Sequence, residues 1–249
     1  MKQAKNDPLV CCPIVCGEFT RATGFFFSDG DTVYLITARH NALPTFGSKL
    51  QTDQFCCEFR CPDFLPVIDV YLRTTDKFDV HRLDLRNLDN VLTSPEIDVL
   101  AVPFGGNPEA YGYQVWTSDD VSRLRNLSET MDIIGFNGQP FPSPDRDYDI
   151  EFYQNNIENP VILNLKNPYK YDEVPIPSEF LAFGIDSTFM RPDDEYNGLS
   201  GAPVLGNGLV GIHSQNADSS RMLVDKIGQD DCMITIYTRA EILSPMLCQ

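Results

Sequence analysis

The chain has 249 residues, with 19 Lys plus Arg against 36 Asp plus Glu, a formal net charge of −17. A field of that sign repels nucleic acid and anionic lipid, so neither is expected as a partner. Hydrophobic residues make up 42% of the chain, ample for a core, and no apolar run approaches the roughly 18 residues of a bilayer span.

The opening, MKQAKNDPLVCCPIVCGEF, has an acid and a proline where a secretory signal needs an uninterrupted apolar stretch, and it runs directly into strand-like sequence. Secretion by that route is not expected, and the eight cysteines are then expected as reduced thiols in a cytoplasmic setting. Short β-rich runs follow: CPIVCGEF, ATGFFFS, DTVYLITA, QFCCEFRC, VIDVYLR, IDVLAVPF, MDIIGFN, PVILNL, GAPVL, GLVGIHS and MITIYT. Turn-forming Asp, Gly, Pro and Asn separate them, which predicts an all-β sandwich or barrel. Helical patterning is confined to SDDVSRLRNL, which follows a capping signal, and the terminal TRAEILSPML. Residues 105 to 126 break the strand rhythm with Gly, Pro and polar residues and are the candidate link between two halves. Stretches 138 to 149 and 167 to 180, rich in Pro and Asp, read as long surface loops.

Three histidines, His40, His81 and His213, leave few candidates for an imidazole base. His40 closes DTVYLITARHNAL, where an alternating strand gives way to a polar turn and a side chain can meet a cleft. Asp98 begins the apolar strand IDVLAVPF, a costly place for a carboxylate unless a donor reaches it. Ser200 lies in NGLSGAPVLGNG, between Gly198 and Gly201, where the backbone can turn tightly and approach a substrate. The N–H groups of Gly198 and Ser200, aimed at one point, would form an oxyanion hole, worth about 3 kcal/mol per donor.

Taken singly, a structural histidine, a strand-leading aspartate and a glycine-rich hairpin explain these residues as well. Taken together they occur in the order His, Asp, Ser, and TARHNA resembles the TAxH motif of trypsin-like peptidases. IDVLAV resembles the family's DxAxL strand, NGLSGAPV its GxSGxP segment and ATGFFFS the strand before its histidine. The resemblance runs from about residue 13 to 245. It implies two antiparallel six-stranded β-barrels of the chymotrypsin-like kind with a short C-terminal helix, residues 1–110 carrying His40 and Asp98 and residues 111–249 carrying Ser200 and the specificity pocket. Leu199 stands where secreted members carry an aspartate that receives a processed N-terminus, which argues against activation by cleavage. Ala202 replaces a usual glycine. An α/β-hydrolase elbow reads G-x-S-x-G with the triad in the order Ser, Asp, His, and this chain meets neither condition.

The resemblance also places GIHSQN, residues 211 to 216, in one wall of the primary specificity pocket. Ser214 would support Asp98, Gln215 would line the wall, and His213 would face the pocket, as in glutamyl endopeptidases and picornaviral processing proteases that recognise Glu or Gln. Asp194 falls where trypsin carries the aspartate that binds Arg or Lys. The two signals conflict, and the short hairpin from Ser200 to His213 tips the expectation to Glu or Gln before the scissile bond. His213 as a core histidine and Asp194 as a surface acid are the plain alternatives.

CCPIVC and CCEFRC could align Cys12 and Cys16 with Cys57 and Cys61 on one face of a strand pair. Zinc sites converge their thiolates with turns rather than strands, so buried, inert cysteines are expected, and Cys232 and Cys248 look incidental. The whole reads as a serine endopeptidase acting on a protein or peptide substrate, without a cofactor or metal. The rival is an inactive fold of the same kind used as a protein-binding module.

Overall fold

The computed structural model describes residues 9–17, 20–42, 67–75, 77–89, 91–94, 97–123, 129–136, 159–170, 179–186, 198–218 and 233–247. The first sheet holds β1 (Cys12–Cys16), β2 (Thr20–Ser28), β3 (Val33–Thr37), β4 (Val67–Arg73), β5 (Phe78–Asp84), β6 (Leu92–Ser94) and β7 (Ile97–Pro103), in the order β5-β4-β1-β2-β3-β7-β6. An eighth strand, β8 (Val115–Trp116), runs parallel to Phe26 and Phe27 of β2. β2 curls the sheet: its first half pairs with β1, Gly24 opposite Cys12, and its second half with β3, Phe25 opposite Ile36. Gly24 sits at the changeover, where a Cβ would lie 2.8 Å from Leu35 Cδ1.

The second half closes. β9 (Thr130–Gly135), β10 (Val161–Lys166), β11 (Leu181–Asp186), β12 (Pro203–Leu205), β13 (Leu209–Asp218) and β14 (Met233–Arg239) form a six-stranded barrel, β10-β11-β14-β13-β12-β9. The two-barrel all-β architecture expected from the sequence is thus present, with one difference. Among the described residues the first sheet is a curled half-barrel rather than a closed six-stranded one, and the expected strand QFCCEFRC lies outside them.

Alternation explains the triple phenylalanine of β2. Phe26 points into the half-barrel core with Cys12, Ile14, Leu35 and Leu100, while Phe25 and Phe27 point the other way. That other face is the interface between the halves, where Phe25, Phe27, Ile36 and Val99 meet Leu209 and Ile212 of the barrel. All three rings are fully buried, each contributing roughly 1.5–3 kcal/mol by leaving water. The barrel has its own core around Met131, Leu163, Leu165, Phe183, Val204 and Tyr237.

TRAEILSPML forms a 3₁₀ turn, Ala240–Ile242, and the helix α2 (Leu243–Leu247), which packs Leu243, Met246 and Leu247 onto the interface. The other expected helix, SDDVSRLRNL, stops after one 3₁₀ turn at Ser118–Asp120. Its capping signal is real, since Asp120 Oδ2 accepts from both the N–H and the hydroxyl of Thr117. Val121 then bridges to Leu209 and Ser122 N donates to Leu209 O, so pairing with β13 draws the backbone out of the helix.

Candidate active site

β3 ends at Thr37, and one helical turn, α1 (Arg39–Ala42), carries His40 off the end of the sheet. β7, next to β3, brings Asp98 beside it. His40 N donates to Asp98 Oδ1 at 2.9 Å, and His40 Nδ1 lies 2.6 Å from Asp98 Oδ2. Ser214 Oγ donates to the same Oδ2 at 2.5 Å from across the interface. The carboxylate is 14% exposed and the imidazole 32%, so the ring is the more open of the pair and the acid the more buried.

Burial alone would push the Asp98 carboxyl up. The bond from the His40 ring, its charge, the Ser214 hydroxyl and the His40 N–H together outweigh burial and hold it below the ordinary carboxylate range. An ionised Asp98 only accepts, so the hydrogen between it and the ring sits on Nδ1, and a ring carrying that one hydrogen has its lone pair on Nε2.

Ser200 lies in the turn between Gly198 and Ala202. Gly198 and Gly201 have φ of +89° and +87°, in the left-handed region that favours glycine. Ala202 N closes the turn on Leu199 O at 2.8 Å, and Gly201 N and Ala202 O pair with His213 O and N, both at 2.8 Å. Ser200 Oγ donates to Ser214 O at 3.3 Å. Within the described residues neither Gly198 N nor Ser200 N is donated to an acceptor.

Residues 198–202 also rest on the first sheet through contacts that sequence reasoning did not single out. Thr23 N donates to Ser200 O (3.1 Å), Thr23 Oγ1 to Gly198 O (2.8 Å) and Asn41 Nδ2 to Ser200 O (3.0 Å). A Cβ on Gly201 would lie 2.2 Å from Thr23 O. The available signals were a hydroxyl in the otherwise apolar ATGFFFS and an amide directly after His40.

His40, Asp98, Ser200, Gly198 and Ser214 are therefore gathered at one place. His213 is 1% exposed and is tied through its backbone to the Ser200 turn, while Gln215 pairs with Ile236 on β14. Asp194 lies outside the described residues. His81 is elsewhere, on the edge strand β5, with Nε2 3.4 Å from Tyr111 Oη.

Cys11, Cys12 and Cys16 are free and buried, and burial pushes all three thiols up. Cys12 and Cys16 belong to the half-barrel core and Cys11 to the interface. Cys57, Cys61, Cys232 and Cys248 fall outside the described residues, among which no cluster of His, Cys, Asp and Glu could hold a metal ion. No helix among them is long and apolar enough to cross a membrane.

Neither the protein-family models nor the curated proteins give a match to the chain. Among solved structures it is similar to a human pathogenic astrovirus serine protease, at 12% identity and a TM-score of 0.44, over 97% of this chain and 98% of that one. A second likeness is to a structure concerned with aromatic interactions in the coupled folding and binding of the intrinsically disordered Sesbania mosaic virus VPg protein, at 13% identity and 0.47, over 99% and 94%. A third is to the HtrA-type protease AlgW with tripeptide, at 12% identity and 0.45, over 95% of this chain and 58% of that one. The chain thus spans little more than half the length of AlgW.

Proposed function

We propose that the protein is a serine endopeptidase with Ser200 as nucleophile, His40 as general base and Asp98 as the residue that orients the base. The observation that carries the reading is the Asp98 carboxylate. It takes the Nδ1 and N of His40 and the hydroxyl of Ser214, and Ser214 O in turn accepts from Ser200 Oγ, which links base, acid and the serine of the glycine turn.

In the reaction the Ser200 hydroxyl turns from its long bond to Ser214 O towards Nε2, a bond that in the free enzyme commonly tightens only when substrate arrives. His40 takes the proton while Oγ bonds to the scissile carbonyl carbon. The negative charge gathers on the carbonyl oxygen, which the N–H groups of Gly198 and Ser200 receive. The carbon–nitrogen bond then breaks, His40 returns the proton to the leaving amine, and water hydrolyses the acyl-enzyme by the same steps. On this reading residues 1–110 supply base and acid, and residues 111–249 supply nucleophile and pocket. No cofactor takes part.

The substrate class is protein or peptide, with Glu or Gln preferred before the scissile bond because His213 sits in the strand that follows the nucleophile turn. Peptides differing at that residue alone test the preference, and faster cleavage after Arg would reverse it in favour of Asp194. The activity itself is tested with a fluorophosphonate probe. Labelling is expected in the wild type and absent in Ser200→Ala and His40→Ala. A folded wild type that does not label would point instead to a protein-binding module.

A further inference from the structure

Resting on that reading, we propose that Thr23 and Asn41 are positioning residues, which set the nucleophile and its own oxyanion N–H from the opposite half of the molecule. Thr23 is fully buried in β2, where a hydroxyl is costly unless satisfied. Its Oγ1 accepts from Phe136 N at 2.9 Å and donates to Gly198 O at 2.8 Å. One hydroxyl thus joins the end of β9 to the first residue of the nucleophile turn.

The successive carbonyls of Gly198, Leu199 and Ser200 are all engaged. Gly198 O takes Thr23 Oγ1, Leu199 O takes Ala202 N, and Ser200 O takes both Thr23 N and Asn41 Nδ2. In a trans peptide the N–H points opposite to the C=O. Holding Leu199 O towards Ala202 therefore directs Ser200 N–H the other way, and bonds to the carbonyls on either side prevent the peptide plane between them from turning over. Thr23 and Asn41 make those two flanking bonds.

The brace is itself held. Thr37 Oγ1 donates to Thr23 O at 2.9 Å and accepts from Asn41 Nδ2 at 3.1 Å. The same helical turn that places His40 on Asp98 places Asn41 on Ser200 O, so base and nucleophile are referenced to one short element. A carbonyl oxygen can only accept, which assigns the amide atom facing Ser200 O as Nδ2.

The test is the second-order rate of fluorophosphonate labelling of the full chain, with Ser200→Ala as baseline and circular dichroism and thermal midpoints as folding controls. Thr23→Val keeps the shape and removes the hydroxyl. It is expected to label about 100-fold more slowly than wild type, the scale of loss when a catalytic group is misplaced by an ångström. Asn41→Leu, which leaves Thr23 N on Ser200 O, is expected to lose less, and it carries the test should Thr23→Val not fold. Thr23→Ser retains the hydroxyl and is expected to recover the wild-type rate. With a peptide substrate the loss should fall on kcat and leave KM unchanged. Folded Thr23→Val or Asn41→Leu labelling at the wild-type rate, or a loss that Ser fails to rescue, overturns the positioning role while the peptidase reading stands. A wild type that does not label through Ser200 overturns both.

Discussion

Ser214 reaches Asp98 because β13 slips register on β14 at that residue. His213 opposes Tyr237 and Gln215 opposes Ile236, which leaves Ser214 as the extra residue of a bulge, its hydroxyl 2.5 Å from Asp98 Oδ2. Bulges re-aim side chains beside sites in this way. Ser214→Ala is expected to lower the labelling rate about 10-fold, the worth of one hydrogen bond to a charged group, with the fold intact by circular dichroism. A rate equal to wild type would make the contact incidental.

Asp98→Asn is expected to be far more damaging. An amide can turn its NH₂ to the ring and favour the tautomer with hydrogen on Nε2, which no longer accepts the Ser200 proton. The expected loss in kcat at neutral pH is about 10⁴-fold. A modest loss would mean that the acid only supports the ring.

Acid should erode part of the stability through the same carboxyl. Its folded pKa lies below the ordinary value, so its contribution is complete above the unfolded value of about 3.9 and disappears as pH falls towards the lower, folded one. The difference in urea midpoint between wild type and Asp98→Asn should therefore hold steady down to about pH 4 and shrink below it. A difference that instead grew with added acid would contradict the assignment.

Two glycines of positive φ should respond unequally to alanine. At Gly201 a Cβ would meet Thr23 O at 2.2 Å, Thr37 Oγ1 at 2.3 Å and Ala38 N at 2.9 Å, whereas at Gly30 nothing lies within 4 Å. Gly30→Ala is expected to cost about 1–2 kcal/mol from backbone conformation. Gly201→Ala is expected to cost about 3 kcal/mol or more, because two backbone atoms of the other half must move as well. Urea unfolding of the pair reads the contrast directly.

The thiols of Cys11, Cys12 and Cys16 should resist iodoacetamide in the native protein and react once it is unfolded, since burial keeps them protonated as well as covered. Peptide mass spectrometry separates the sites. Native alkylation at Cys12 would show that the half-barrel core opens under native conditions.

His40, Asp98 and Ser200 stood out as candidates because each breaks a local rule: a polar residue ending or beginning an apolar strand, and a serine between glycines. Thr23, a hydroxyl within an apolar strand, and Asn41, an amide after His40, gave weaker signals, because their partners lie 175 and 159 residues away, a separation that leaves no periodic trace. β5 escaped for another reason. As the edge strand of the half-barrel it is only partly buried over Phe78–His81, and FDVHRLD does not stand out as an apolar run. The turn at Ser118 shows the converse, a sound local signal overruled by pairing with a distant strand.

The span of these contacts also fixes an order of events. His40 and Asp98 are 58 residues apart, but Ser214 meets Asp98 across 116 and Thr23 meets Gly198 across 175. Contacts so far apart form slowly, and at a synthesis rate of roughly 5–20 residues per second the base and its acid leave the ribosome well before either serine. A growing chain therefore exposes the proposed base and acid before the proposed nucleophile has been made. The proposed cutting power needs β13 seated beside Asp98, so it cannot precede synthesis and folding of the second half.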